Sequence, residues 1–137
     1  MIESRMTIEV VTAGHTEFVD ISSRVRRLVV ESGISDGICC LYVPHTTAAL
    51  LINENADPSV VQDIASKLER IVPWNERYLH LEGNSAAHIK ASLMQTSQVI
   101  LVESGKLLLG IWQGIFLCEF DGPRQRKVLV KLIPSQT

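Results

Sequence analysis

Residues 107–120, LLLGIWQGIFLCEF, hold a single charged side chain, Glu119. A strand with one wet face alternates apolar and polar residues, because successive side chains point to opposite faces. This stretch is apolar at odd and even positions alike, so the strand it forms is expected to be covered on both faces. Subunit packing is one way to supply the second cover. Ser104-Gly105 before it and Asp121-Gly122-Pro123 after it are turn signals. Beyond those turns, QVILVE (98–103) and RKVLVKLI (126–133) read as further strands, so the last third of the chain is β.

Working back toward the N-terminus, RMTIEVVT (5–12) alternates and is β-branched, and HTEFVDI (15–21) continues extended. Ile21, Val25, Leu28 and Val29 recur at helical spacing, with Asp20 or Ser22 as N-cap and Gly33 as the stop. GICCLYV (37–43) is an apolar strand, and ALLIN (49–53) follows the Pro44-His45-Thr46 turn as another. DPSVVQDIASKLERIVP (57–73) is the clearest helix. Asp57 suits the N-cap, Pro58 suits the first turn, and Val60, Val61, Ile64, Leu68 and Ile71 form its expected buried stripe. A polar and aromatic connection, WNERYLHLEGN (74–84), leads to a short helix over SAAHIKASLM (85–94) that opens on Asn84 or Ser85. Strands at both ends with helices between them predict one α+β domain over residues 1–137, with mostly antiparallel sheets.

The balance of 13 Lys+Arg against 15 Asp+Glu leaves a formal charge of −2, without the basic field of a nucleic-acid binder. Aromatics, at 5%, are too few for stacking on single strands. No apolar run approaches the roughly 18 residues that a membrane helix needs, and MIESRMTIEV lacks the apolar core of a signal peptide. Cys39, Cys40 and Cys118 are odd in number and two are adjacent, a poor disulfide framework that fits a reducing cytoplasm.

Polar residues cluster at the borders of the apolar elements. His45, Thr46 and Thr47 precede one strand, and Asn53 and Glu54 end it. His80 and His88 lie eight residues apart around the second helix boundary. Three imidazoles with an open fourth position would make a catalytic zinc site; spacing alone favours reading the same three residues as separate hydrogen-bonded histidines. Glu54 is either a base at the end of a rigid strand or a solvated loop acid. Asn84 and Ser85 either cap a helix or help its free N–H groups hold phosphate. Trp112 and Gln113 stand between glycines in an expected strand, where Gln113 could orient a ligand. Arg124 and Arg126, at alternate positions, read as a pair of phosphate-binding forks or as an ordinary charged hairpin. His15 stands alone and reads as surface.

Taken in order, PHTTAALLINENADPSV (44–60), YLHLEGNSAAHIKASL (78–93), TSQVILVESGKLLLG (96–110) and WQGIFLCEFDGPRQRKVLV (112–130) resemble the YjbQ-like family, also called the secondary thiamine-phosphate synthase family. The chain departs from the family pattern at Gln95, where glycine is usual, and at Ile111, where threonine is usual. The resemblance implies an α+β sandwich of mixed sheets that trimerises through its sheets. It also implies a weak synthase that joins a pyrimidine methyl diphosphate to a thiazole phosphate and releases pyrophosphate. His45, His80 and His88 become its polar centre, with Glu54, Asn53 and Gln113 beside them. Joined to the chemistry above, His45, Glu54, His80 and His88 are the expected catalytic groups, and the three histidines the expected ligands of a divalent Zn²⁺ or Mg²⁺. Thr46, Thr47, Asn53, Asn84, Ser85, Trp112, Gln113, Arg124 and Arg126 are the expected contacts to a small phosphorylated metabolite.

Overall fold

A computed structural model describes residues 5–136. The elements are β1 (Met6–Val11), β2 (Glu17–Asp20), α1 (Ser22–Ser32), β3 (Gly37–Tyr42), β4 (Ala48–Glu54), α2 (Pro58–Ile71), α3 (Ser85–Leu93), β5 (Ser97–Glu103), β6 (Lys106–Leu107), β7 (Gln113–Glu119) and β8 (Gln125–Pro134). They build a five-stranded sheet, β1-β8-β3-β5-β6, and a three-stranded sheet, β2-β7-β4. Every strand pair is antiparallel, so the expected α+β class holds and the sheets are not mixed.

The two-sided apolar stretch explains the layering. β7 is the central strand of the smaller sheet, and residues 114–119 are all buried. Ile115 and Leu117 point into the core shared with the larger sheet, where they meet Val25 and Val29 of α1, Leu41 of β3 and Val130 of β8. Phe116 and Cys118 point the other way, into a second core with Leu68 of α2 and Ala87 and Ala91 of α3. Both faces are therefore covered within one chain, by the larger sheet on one side and two helices on the other. The alanines keep this approach close: Ala48, Ala49, Ala87 and Ala86 are fully buried.

Among the described residues, no such second layer covers the larger sheet. Tyr42, Val99, Leu101 and Ile133 on its outer face are 43–61% exposed.

Local signals placed most elements well. Asp57 caps α2, accepting from the Ser59 N–H at 2.9 Å, and Pro58 opens the helix. Gly33 stops α1 in the left-handed region. Asp20 accepts from the Ser22 N–H at 2.8 Å, although Ile21 holds the N-cap position. Three expectations shift. α2 buries only Leu68 fully and leaves Ile71 56% exposed, because it lies over the margin of a narrow sheet. β6 is two residues long, and Ile111-Trp112 forms a turn, so β7 begins at Gln113. Gln95 joins Leu50 in an isolated antiparallel bridge and needs no glycine geometry.

Candidate functional site

β4 and β7 pair from Ala48↔Glu119 to Glu54↔Gln113, and their two ends differ in chemistry. Six residue steps separate those ends, about 20 Å along the strands.

The end carrying Glu119 is built around a buried ion pair. Glu119 is fully buried and Arg126 is 5% exposed. Arg126 donates to Glu119 through Nε at 2.8 Å and through a second guanidinium nitrogen, which also donates to Thr47 Oγ1 at 2.8 Å. Thr12 Oγ1 donates to Glu119 Oε1 at 2.8 Å, and the Asp121 N–H donates to Oε2 at 3.0 Å. Burial pushes the Glu119 carboxyl up, but the bonds from Arg126, Asp121 and Thr12 outweigh it and hold the group below its ordinary value. Both Glu119 oxygens and two of the three Arg126 guanidinium nitrogens are bonded inside the protein, which satisfies the rule for buried charges. Arg126 is thus held inward by Glu119 and Thr47, and it also lines a cavity beside His45. Its neighbour Arg124 precedes β8, and its guanidinium donates to Asp121 Oδ2 at 2.9 Å.

His45 sits beside this network. β3 leaves the β8 ladder after Tyr42↔Leu129, and His45 Nε2 accepts from the Lys127 N–H at 2.9 Å, replacing a carbonyl that the departing strand no longer supplies. With Nε2 accepting, the neutral ring carries its proton on Nδ1. Desolvation, then the charge of Arg126, keeps its pKa below the ordinary value. In this arrangement His45 offers a donor, and metal ligation through Nε2 would require breaking the Lys127 bond. A small cavity of about 150 Å³ opens here, lined by His45, Arg126, Lys127, Glu9, Val10, Val11 and Gln125. Thr47 is buried against Arg126, and Thr46 is exposed.

The turn after β7 gathers a second polar group. Asn84, the N-cap residue of α3, donates through Nδ2 to Asp121 Oδ2 at 2.9 Å. His15 Nε2 lies 3.9 Å from Asp121 Oδ1, and the His15 carbonyl accepts from the Gly122 N–H at 3.0 Å. The His15 ring stands edge-on to Trp74, with centroids 4.4 Å apart. His88 lies one turn along α3 from Asn84, on the same helix face, and stacks edge-on with His80 at 5.4 Å. Ser85 opens the helix, partly exposed beside its free N–H groups. Of the three histidines expected to share a site, His80 and His88 are adjacent, whereas His45 Nε2 is engaged with β8. Among the described residues no three His, Cys, Asp or Glu side chains form a ready metal-binding group. His15, Trp74, Glu119 and Asp121 escaped the sequence reading. Glu119 and Asp121 flank a turn signal, yet nothing local links them to residues 15, 74 and 84.

The opposite end of the strands is open. Ile52, Asn53, Glu54, Trp112 and Gln113 line a cleft of about 450 Å³. Asn53 Oδ1 accepts from the Glu54 N–H at 2.7 Å, and Gln113 Oε1 accepts from the Gly110 N–H at 2.8 Å. Gln113 thus braces the turn that presents Trp112, which is 60% exposed. Gly114 is required here, since a Cβ on it would lie 2.5 Å from the Asn55 side chain. Asn55 in turn donates to Asp20 Oδ2 at 3.1 Å. The Glu54 carboxylate forms no hydrogen bond or ion pair among the described residues.

Comparison with known proteins agrees with this architecture. The chain is 50% identical over 133 residues to a UPF0047 protein of Methanocaldococcus jannaschii, covering 97% of this chain and 96% of the relative. It is 45% identical over 128 residues to the UPF0047 protein YugU of Bacillus subtilis, covering 93% and 97%. The crystal structure of a YjbQ/UPF0047 family protein from Clostridium acetobutylicum superposes with a TM-score of 0.91 at 53% identity, covering 93% of this chain and 99% of that one. A YbjQ-like protein from Sulfolobus solfataricus gives a TM-score of 0.91 at 36% identity, with 96% of both chains covered. Residues 6–135 match the family described as UPF0047 protein YjbQ-like, and the chain belongs to that family.

Proposed function

We propose that the protein is a weak thiamine-phosphate synthase-type transferase working at the end of the smaller sheet where His80, His88, Asn84, Ser85 and Arg124 gather. In the reaction, the C–O bond between the pyrimidine methylene and its diphosphate breaks, and the electron pair leaves with pyrophosphate. The thiazole nitrogen lone pair then forms the new C–N bond to that methylene. The chemistry asks for two things: stabilisation of departing phosphate oxygens and alignment of two rings. The observation that carries the reading is the convergence of donors at one place. The free N–H groups at the start of α3, the Arg124 guanidinium and the His80–His88 pair come from three chain segments. Trp74 beside His15 offers an aromatic surface for a ring. Arg126 is less available to phosphate than the exposed Arg124, because Glu119 and Thr47 bond two of its guanidinium nitrogens. The test is pyrophosphate release with purified protein. Release that depends on both the pyrimidine diphosphate and the thiazole phosphate supports the reading, and its absence sinks it.

The stacked pair His80–His88 favours a second reading, a metal-dependent hydrolase of another phosphorylated metabolite. Two imidazoles would hold Zn²⁺, or Mg²⁺ shared with substrate phosphates, with a further ligand from substrate or a neighbouring chain. Bound metal supplies an activated water in such sites. Phosphate release without the thiazole partner, together with stoichiometric metal by elemental analysis, would select this reading over the first.

Two associated proposals concern setting. The exposed apolar outer face of the larger sheet supports a homotrimer, testable by light scattering on the eluting protein. Three free cysteines, and no helix among the described residues long and apolar enough to cross a membrane, support a cytoplasmic protein.

A further inference from the structure

We infer that the cleft at the Glu54 end binds a small planar organic cation, an amidinium or a protonated amino-substituted heterocycle. The cleft lies about 20 Å along the strands from the groups of the transferase reading and does not depend on that reading.

The groups that line the cleft are fixed from behind. Glu54 and Gln113 are register partners at the ends of β4 and β7, so their side chains stand on one face of the sheet. The Gln113 N–H donates to the Gly110 carbonyl at 3.0 Å, and the Gly110 N–H donates to Gln113 Oε1 at 2.8 Å, which closes the turn from both sides. The Asn55 N–H donates to the Trp112 carbonyl at 3.0 Å and ties that turn to the end of β4. The Trp112 indole is therefore 60% exposed on a backbone already held in place, and little ordering of the turn is left for a ligand to impose.

Internal bonding spends the amide oxygens and leaves the carboxylate. Asn53 Oδ1 accepts from the Glu54 N–H at 2.7 Å, and Gln113 Oε1 accepts from the Gly110 N–H. A backbone N–H faces an amide oxygen and not an NH2 group, which fixes the orientation of both amides. Their NH2 groups and the Glu54 carboxylate form no hydrogen bond or ion pair among the described residues. Glu54 is partly buried, and no Lys, Arg or His is among the residues that line the cleft. Asp20, which reaches Asn55, has Arg26 beside it and adds no net charge. The negative charge of the cleft is that of Glu54.

That combination selects the ligand. An anion such as phosphate is opposed by the carboxylate and meets no cation. A compact ammonium would pair with Glu54 and leave the indole in water. A neutral ring would cover the indole and leave the carboxylate unpaired. A flat cation satisfies both: adjacent N–H groups on its edge bond the two Glu54 oxygens in parallel, and its plane lies against the indole. The NH2 groups of Asn53 and Gln113 then serve acceptor atoms elsewhere on the ring. A cleft of about 450 Å³ has room for one such ring with its substituents.

Benzamidine is the probe, titrated into isotope-labelled protein and followed by backbone amide NMR shifts. Saturable shifts are expected at residues 52–54 and 110–113, with half-saturation at about 1 mM for so small a ligand. Benzamide has the same shape without the charge and is expected to bind at least about tenfold more weakly; Glu54→Gln is expected to lose as much for benzamidine. Trp112→Leu is expected to weaken benzamidine by about two- to fivefold. Benzamidine that shifts no amide in the cleft, or that binds Glu54→Gln as tightly as wild type, overturns the inference. Equal binding of benzamide also overturns it, because the indole alone would then be the site. N-acetyl-arginine amide carries the fork without the ring. Binding as tight as that of benzamidine would assign the cleft to a peptide side chain and overturn the small-ligand assignment. Synthase activity enters none of these outcomes, so failure of the transferase reading leaves them unchanged.

Discussion

At the Thr47 end of β4, side chains from residues 12, 47, 119 and 126 interlock around one buried carboxylate; at the Glu54 end, six residues away, a carboxylate without a partner borders an open cleft. The same two strands carry both ends, so the difference lies in what the surrounding chain brings. β1, β8 and the turn after β7 converge on Glu119 and supply donors for each of its oxygens. Around Glu54 the 110–113 turn approaches with its polar groups bonded to each other, and Asp20 reaches Asn55 rather than Glu54. A group locked from several directions holds shape, and one left open is available for chemistry. The protein's candidate reactivity therefore lies around the locked end, in His80, His88 and Arg124, and within the open one.

The largest effect that would break this contrast is at the locked end. Glu119→Ala leaves the Arg126 guanidinium buried without its counter-charge, and a loss of about 3–5 kcal/mol is expected in urea denaturation. Replacing both partners with apolar residues of similar volume is expected to cost less than the single change, because no orphan charge remains. A second buried pair scales the comparison. Lys90 is 1% exposed within the α2–α3 contact and bonds to Glu69, whose side chain is half exposed. Glu69→Ala should cost about 1–3 kcal/mol by orphaning a buried ammonium that some water can still reach. Lys90→Met, which leaves nothing unpaired, should cost less in the same measurement.

The third prediction is a pH dependence at His45. Its folded pKa lies below the ordinary 6.5, so the unfolded chain binds the proton more readily than the folded one. The stability His45 contributes is thus fully present above about pH 6.5 and is lost as pH falls toward the folded value. Denaturation midpoints should drop from pH 7.5 to pH 5.5 by more in wild type than in His45→Gln, which cannot take up the proton. The smallest effect belongs to the open end. Glu54→Gln breaks no bond among the described residues and should change stability by less than about 0.5 kcal/mol. A larger change would mean that Glu54 supports the fold, and the contrast between the ends would lose its basis.

How much of this could be read in advance depends on the distance over which each signal acts. Helix α2 was legible because Asp57, Pro58 and the apolar spacing act within a turn or two. The turn at Ser104-Gly105 was legible because both residues adopt positive φ, which Gly favours. The two-sided character of β7 was legible as well, although its covering layers proved to be internal. The burial of Arg126 was not legible, because strand alternation alone does not say which face is inward until β8 is seated between β1 and β3. His15 read as isolated because its partners, Trp74 and Asp121, lie 59 and 106 positions away.

Sequence alone determined the α+β class and most of the elements, since propensity, capping and short loops fix these locally. Tertiary structure alone decided that Glu119 and Arg126 form the buried centre, that His45 completes the β8 ladder, and that Asn84, Asp121 and Arg124 meet. Those contacts join residues up to 82 positions apart, and only the closing of the two sheets on one core brings such groups within hydrogen-bonding distance.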